Sequence, residues 1–477
     1  MVKFFVSFVN FVDNIEAPMN RKILCSLALI AQLFIISRAH ALVQDQPQPM
    51  SLQACVQEAR NNNRGLRASH ARVVAAEAKA SEAFSAILPQ VRLSSRFAQL
   101  SDIDPFSFTA PGFGAFTLFP NIDHSYSARV SLQQPVFTGF RLLKNLEAAR
   151  LNATATGEDF TRDERDLTLE VKTMYWNLVR ARQVEGFLKQ TVEQVSEHLR
   201  DVENFYTQGL ATQNDVYKVE VQLADVRVKL IEAESNRRLV NMSLNNLMGK
   251  PLETSIVPTE DPEIPGRVGE SIDTSSLGFP SAFLHSAQNN RPELKALRLR
   301  KGISEANLGA ARAGWLPQVA LTAGYDYARP NQRIIPPKDE WRGTWDVGLT
   351  VQWSVWDWFT TAHQTTQARA ALIQAEEGLA QLENAVAMQV TRYYLKMHEA
   401  VQKRLVSKRG VEQATESYRI TNEKFRRGLM TNTDLLDAEV ALLQSKLTQT
   451  QANIDYQIAY AQLVHAAGFS ESPSGVQ

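Results

Sequence analysis

Tyr206-Thr207-Gln208-Gly209-Leu210-Ala211-Thr212-Gln213-Asn214-Asp215-Val216 is written a second time as Phe425-Arg426-Arg427-Gly428-Leu429-Met430-Thr431-Asn432-Thr433-Asp434-Leu435. The copies stand 219 positions apart, Gly209 against Gly428. In each, a glycine suits the left-handed backbone that ends a helix. A threonine with aspartate three residues later then reads as the N-cap of the next helix. The stretch is a helix–turn–helix tip, and the chain has two.

Outward from the tips the repeat continues. It holds without a gap back to Val130-Ser131-Leu132-Gln133 against Leu349-Thr350-Val351-Gln352, and forward through Glu220-Val221 against Glu439-Val440 to Gly249 against Gly468. Further upstream, Leu88-Pro89-Gln90 matches Leu316-Pro317-Gln318 at an offset of 228, so a loop around 101–123 is longer in the first half. A repeat of this length organises the whole chain. The first repeat covers 42–250 and the second 281–469; 251–280 is a Pro- and Gly-rich linker, and 470–477 reads as a disordered tail. Each half has the order helix, strand, strand, long helix, turn, helix. Strands are expected at about 91–100, 124–136, 318–328 and 343–356, long helices at 140–208 and 359–427, and return helices at 210–249 and 429–468.

The strands alternate. Trp345, Val347, Leu349, Val351, Trp353 and Val355 face one way, and Thr344, Asp346, Gly348, Thr350, Gln352 and Ser354 the other. Tyr126, Ala128, Val130 and Leu132 oppose Ser125, Ser127, Arg129, Ser131 and Gln133 in the same manner, and Val319, Leu321, Ala323, Tyr325 and Tyr327 mark a third strand. One apolar and one polar face fits a transmembrane barrel strand or an ordinary half-buried sheet. Tryptophans favour the barrel: Trp353, Trp356 and Trp358 crowd one end, with Trp341 and Trp345 near the other, as expected at two lipid headgroup levels. Four strands cannot close a barrel alone, and an open edge is not tolerated in hydrocarbon, so an oligomer is required. Closure is satisfied by two, three or four chains.

The long helices carry apolar residues on alternating threes and fours: Leu167, Val171, Met174, Leu178, Ala181, Leu188, Val192, Val195, Leu199, Val202 and Tyr206, with one slot missed near Glu185. Val386, Val390, Tyr393, Met397, Ala400, Val411, Ala414, Tyr418 and Phe425 repeat the stripe. This is coiled-coil spacing, and each helix spans roughly 100 Å at about 1.5 Å per residue. The helix before the strands, about 51–88, and the return helix together match that length, so they are expected to stack end to end along it.

The N-terminus has Arg21 and Lys22, an apolar run Ile23 to Ile36, and Ala39-His40-Ala41, the layout of a secretory signal peptide over 1–41; Met19 is the more natural start. A short anchor helix is the rival reading. Cys25 leaves with the signal, and Cys55 remains, read as a packed helix residue rather than a lipid anchor. Lys+Arg and Asp+Glu number 51 each, so charge does not suggest nucleic acid. No H-E-x-x-H, G-x-S-x-G, Walker loop or C-x-x-C occurs, and His198, His398 and His465 lie singly on helices in packed or solvated roles. The reading is of a protein without catalytic residues, metal or cofactor.

The paired L-P-Q, the run Gln134-Pro135-Val136-Phe137-Thr138-Gly139-Phe140, and the doubled tip together resemble TolC-type outer-membrane efflux proteins, over nearly the whole chain. The resemblance implies a membrane α+β fold: a homotrimer with a twelve-stranded β-barrel, four strands per chain, in outer-membrane lipid, continued by an α-helical coiled-coil tunnel in the periplasm with an equatorial collar. It implies a passive channel whose tips (Gly209, Leu210, Thr212, Gly428, Leu429, Thr431) dock a periplasmic adaptor that bridges to an inner-membrane pump. Asp434 and Asp437 match the family's entrance aspartates, with Asp215 retained in the first half and Lys218 where Asp437 stands in the second. In a ring, mutual repulsion is expected to raise some of their pKa values; the alternative is plain helix-start carboxylates. Two departures stand out. Met430 replaces the family's closed-tip arginine, and Trp358 replaces the bend glycine of the first half, Gly139, so a differently shaped second bend is expected. Three functions compete: a drug or metabolite efflux duct, the duct of a type I protein secretion system, and a soluble periplasmic coiled-coil adaptor without barrel strands.

Overall fold

The computed structural model describes residues 48–104, 106–110, 112, 114–119, 121–261 and 280–469. The signal peptide (1–41), most of the linker (262–279) and the tail (470–477) lie outside the described residues.

The chain runs β1 (Gln48–Met50), α1 (Leu52–Asn62), α2 (Arg64–Ser85), β2 (Gln90–Gln99), β3 (Phe106–Ala110), β4 (Gly114–Phe119), β5 (His124–Phe137), α3 (Arg141–Thr207) and α4 (Gln213–Leu247). The second half runs β6 (Ile256–Pro258), α5 (Ser281–Asn290), α6 (Pro292–Arg312), β7 (Gln318–Arg329), β8 (Arg342–Gln352), α7 (Thr360–Arg426) and α8 (Asn432–Ala466). Three expectations change here. The helix before each strand pair is two helices, broken at Asn63, whose side chain caps Leu66 N–H at 2.9 Å, and at Arg291, ahead of Pro292 at the first helical position. The long loop of the first half folds into the β3–β4 hairpin. Strand β8 stops at Gln352, so Trp353 and Val355 lie beyond the ladder.

Strands β2, β5, β7 and β8 form one antiparallel sheet in that order, 10, 14, 12 and 11 residues long. Those lengths suit tilted membrane strands, which need about 9–11 residues. Register aligns Leu93 with Val130, Val130 with Tyr325 and Tyr325 with Trp345, so the apolar positions of all four strands share one face. That face is bare in a single chain: Leu93, Trp345, Val347, Leu349 and Val351 are all exposed. Edge strands β2 and β8 are unpaired on their outer sides.

Helices α3 and α7 are each 67 residues long and α4 and α8 each 35. The short helices abut: a Cβ on Gly249, just past α4, would lie 2.8 Å from the Asn62 carbonyl oxygen at the end of α1, and one on Gly468, past α8, 3.2 Å from Arg291 N. The largest core sits at this junction, where Cys55, Ala59, Val171, Tyr175, Leu178, Leu244, Met248 and Ile256 bury together. Cys55 is fully buried there, a packed helix residue as expected. The slot missed in the α3 stripe is filled by Glu185, bound by Arg237 Nε and by Lys189 Nζ at 2.7 Å. Burial alone would lift its carboxyl, but those hydrogen bonds outweigh it and hold it below the usual carboxylate range. Tyr206, at the foot of the stripe, is exposed rather than packed.

Both strand-to-helix bends use left-handed backbone, with φ of 61° and 69° at Gly139 and Phe140 and 53° and 65° at Trp358 and Phe359. The second bend therefore has the shape of the first, against expectation. Trp358 accepts the strained backbone because its ring projects outward, 79% exposed, where a Cβ at Gly139 would strike the Ala313 carbonyl oxygen at 2.8 Å.

Candidate functional site

The two tips are built alike. Leu210 N–H donates to Phe205 O at 2.8 Å and Leu429 N–H to Lys424 O at 2.9 Å, the closing bonds of a helix that ends on a left-handed glycine. Gly209 and Gly428 supply that backbone, with φ of 72° and 71°. Thr212 and Thr431 then cap α4 and α8 in full capping boxes. The residue after such a glycine commonly packs back on its helix. Here Leu210 and Leu429 stay 74% and 70% exposed.

The three predicted gate carboxylates separate. Asp215 Oδ2 accepts from Thr212 Oγ1 at 2.6 Å and Thr212 N–H at 3.0 Å, and Asp434 Oδ2 accepts from Thr431 at the same two distances. Hydrogen bonds from Thr212 and Thr431 hold both carboxyls below the ordinary aspartate range. Within one chain the Thr431 hydrogen bonds set that direction for Asp434. Asp437, one turn on, is exposed and has no ion-pair partner among the described residues. Lys218 lies 3.9 Å from Asp215 and donates to Thr433 Oγ1 at 3.4 Å, while Asn432 Nδ2 donates to the Asp215 carbonyl at 3.1 Å, tying the tips together. Met430 packs on the apolar core of the tips with Val202, Val219, Phe425 and Leu435.

Sequence reasoning missed a buried pair above the tips. His198 Nδ1 of α3 lies 3.3 Å from Glu439 Oε2 of α8, with Phe425 of α7 against the imidazole edge. The signal was present: Val195, His198 and Val202 keep the three–four spacing of the buried stripe. His465 Nε2 of α8 likewise meets Asp166 Oδ1 of α3 at 2.9 Å. A second omission lies on the polar face of the sheet, where Arg129 of β5 pairs with Asp326 of β7 and, at 3.1 Å, with Asp346 of β8.

The tryptophans fall into two groups. Trp341 stacks on Tyr327 with centroids 4.9 Å apart and neighbours Tyr126 at 6.0 Å, at the sheet end far from the helices. Trp345 follows it on β8, exposed on the apolar face. Trp356 contacts Trp358 at 5.6 Å and Phe359 at 5.7 Å at the helix end, where Trp353 Nε1 donates to Trp315 O at 3.2 Å. Among the described residues no helix is long and apolar enough to cross a membrane, and no His, Cys, Asp and Glu cluster could hold a metal.

Comparison with known proteins agrees with this architecture. The chain is 23% identical over 432 residues to the outer membrane protein TolC of Escherichia coli (strain K12), covering 88% of this chain and 83% of that one. It is 23% identical over 352 residues to the alkaline protease secretion protein AprF of Pseudomonas aeruginosa, covering 72% and 70%. The fold matches the outer membrane protein VceC of Vibrio cholerae with a TM-score of 0.73 at 17% identity, over 87% of this chain and 96% of that one. The family model for outer membrane efflux proteins matches residues 55–250 and 283–469, the two halves of the repeat, and the chain belongs to that family of outer-membrane export channels.

Proposed function

We propose that the protein works as a homotrimer whose twelve strands close a barrel in outer-membrane lipid and whose helices form a tunnel in the periplasm. The observation that carries this is the four-stranded sheet with one bare apolar face and two open edges. Lipid covers the face, and the edges have no partner in hydrocarbon except each other. The sheet is antiparallel throughout, so β8 of one copy meets β2 of the next in antiparallel sense, and a ring closes without a clash of direction. The same sheet counts against the soluble adaptor reading, which needs no such strands.

The tunnel is a passive conduit. Among the described residues no cluster of His, Cys, Asp and Glu could hold a metal, and cargo moves because an inner-membrane pump delivers it through a periplasmic adaptor. The exposed Leu210 and Leu429, one at each tip, are the anchors we assign to that adaptor, flanked by Gly209, Thr212, Gly428 and Thr431. Asp437 lines the entrance and attracts cations, with Asp434 and Asp215 bracing it as caps. Small molecules such as drugs, metabolites or toxic compounds are the cargo. Likeness to a protein named for alkaline protease secretion supports a second reading, a type I protein secretion duct.

The test is reconstitution. The purified protein should migrate as a heat-modifiable trimer and open discrete conductances in a planar bilayer. A monomer without conductance in lipid overturns the proposal. Loss of the gene should sensitise cells to small toxic compounds if the cargo is small; a secretion defect without sensitivity selects the second reading.

A further inference from the structure

The polar face of the sheet carries charges that neither the tips nor the lipid-facing aromatics use. Near the end far from the helices, Arg96, Arg129 and Arg333 with Asp326 and Asp346 line a cavity of about 520 Å³, alongside Ser127, Asn331 and Thr344. Register explains the convergence. Arg129 stands opposite Asp326, Arg96 opposite Ser127 one rung outward, and Asp346 opposite Gly324 one rung inward, all on the face away from Val130 and Trp345. Gly324 leaves room for the guanidinium, since a Cβ there would lie 2.6 Å from Arg129 Nη2.

The cavity is held in shape. Asn331, 97% buried, donates from Nδ2 to the Arg342 carbonyl at 2.9 Å and accepts at Oδ1 from Arg333 N–H at 3.0 Å, pinning the β7–β8 loop over the strands. Arg333 Nη1 donates to the Trp345 carbonyl at 2.6 Å, so its side chain is positioned but its charge is not neutralised. Arg96 makes no ion pair among the described residues. Arg129 is shared by the two aspartates, which leaves three arginines against two carboxylates and a net positive cavity.

We propose that this cavity is a lumenal anion site near the outer mouth of the channel, binding multivalent oxyanions and the phosphate, sulfate or carboxylate groups of passing cargo through Arg96 and Arg333. The inference rests on the trimeric barrel reading, which turns the polar face inward and sets three cavities in one girdle. Like charges around a narrow, low-dielectric wall focus the field on the axis. The duct is then polar along its length, with an acidic entrance at Asp437 and a basic exit.

Single channels in a planar bilayer test it with inorganic tripolyphosphate added on the outer side only. Outer tripolyphosphate should block the wild-type channel. Arg96→Gln with Arg333→Gln should raise the half-blocking concentration on the order of tenfold, while Arg96→Lys with Arg333→Lys retains block. Asp437→Asn should leave outer block unchanged and weaken block by divalent cations added on the tip side. Conducting channels that tripolyphosphate does not block, or blocks equally in the glutamine variant, overturn the anion site and leave the channel reading intact. Absence of any conductance removes both.

Discussion

His198 and Glu439 meet inside the seam between the two helical hairpins of the chain, 3.3 Å apart with side chains only 2% and 3% exposed. Each comes from a different half, so the contact joins α3–α4 to α7–α8 close to the tips. Removing one partner of a buried pair strands the other, whereas replacing both by apolar groups is tolerated. His198→Ala should therefore lower stability by about 3 kcal/mol, measured by urea unfolding of the helical circular dichroism. His198→Leu with Glu439→Leu should recover most of the loss. An unchanged midpoint in the single variant would show that the carboxylate finds water.

The two bends make an asymmetric pair. Gly139→Ala adds a Cβ 2.8 Å from the Ala313 carbonyl oxygen at a φ of 61°, and the left-handed backbone alone costs about 1–2 kcal/mol for a residue with a Cβ. Trp358→Gly relieves that same backbone cost on the other side. Thermal melting of the detergent-solubilised protein should fall for the first and not for the second; equal losses would show that the Trp358 ring outweighs its backbone.

At the tips, cap and gate can be told apart. Thr431→Ala should cost about 1 kcal/mol and speed amide exchange in the first turn of α8, and Asp434→Ala should speed the same amides. Asp437→Ala should leave exchange untouched while reducing cation preference in a bilayer. Because the Asp434 carboxyl is depressed by Thr431, its cap is complete above the ordinary aspartate value of about 3.9 and is lost as pH falls through the lowered one. Protection of the first amides of α8, taken relative to their intrinsic exchange rate at each pH, should fall only in acid; a loss of protection between pH 5 and 7, a range about one to three units above that value, would contradict the cap.

Cys55 gives a simple probe of the equatorial core. Burial, with a smaller push from Glu260, drives its thiol up to about 12, and reactivity belongs to the thiolate. Maleimide at pH 8 should label the protein only after denaturation. Rapid labelling of the native protein would mean that the junction of α1 and α4 opens.

What the sequence made legible follows from period. Alternation along Trp345–Val351 and Tyr126–Leu132 marks strands because side chains of a pleated chain must take opposite faces, and the structure joins these strands in one sheet. The three–four stripe from Leu167 to Val202 marks buried positions for the same kind of reason. Period is blind to polar residues on a buried stripe: Glu185 read as a gap and His198 as a lone histidine, since each depends on a partner, Arg237 or Glu439, far away in sequence. It is equally blind to breaks set by a single cap, as at Asn63. Among the site residues, Thr212, Thr431, Gly209 and Gly428 were readable because capping is local. The difference in surroundings between Asp434, hydrogen-bonded by Thr431, and the exposed Asp437 was not, because it turns on which carboxylate a neighbouring hydroxyl has already claimed.

The equal 67-residue lengths of α3 and α7 act as a pair of matched rulers. On the proposed function both tips meet a single partner and must reach the same plane, so length is a property the two halves hold in common, whatever their sequences do. Seven residues added to α3 alone would drop one tip by roughly 10 Å at 1.5 Å per residue, leaving a stepped rim on which no flat ring of partner could seat. Such a chain could close its barrel and still fail at the other end, and the same insertion made in both helices would restore a level rim one notch further down.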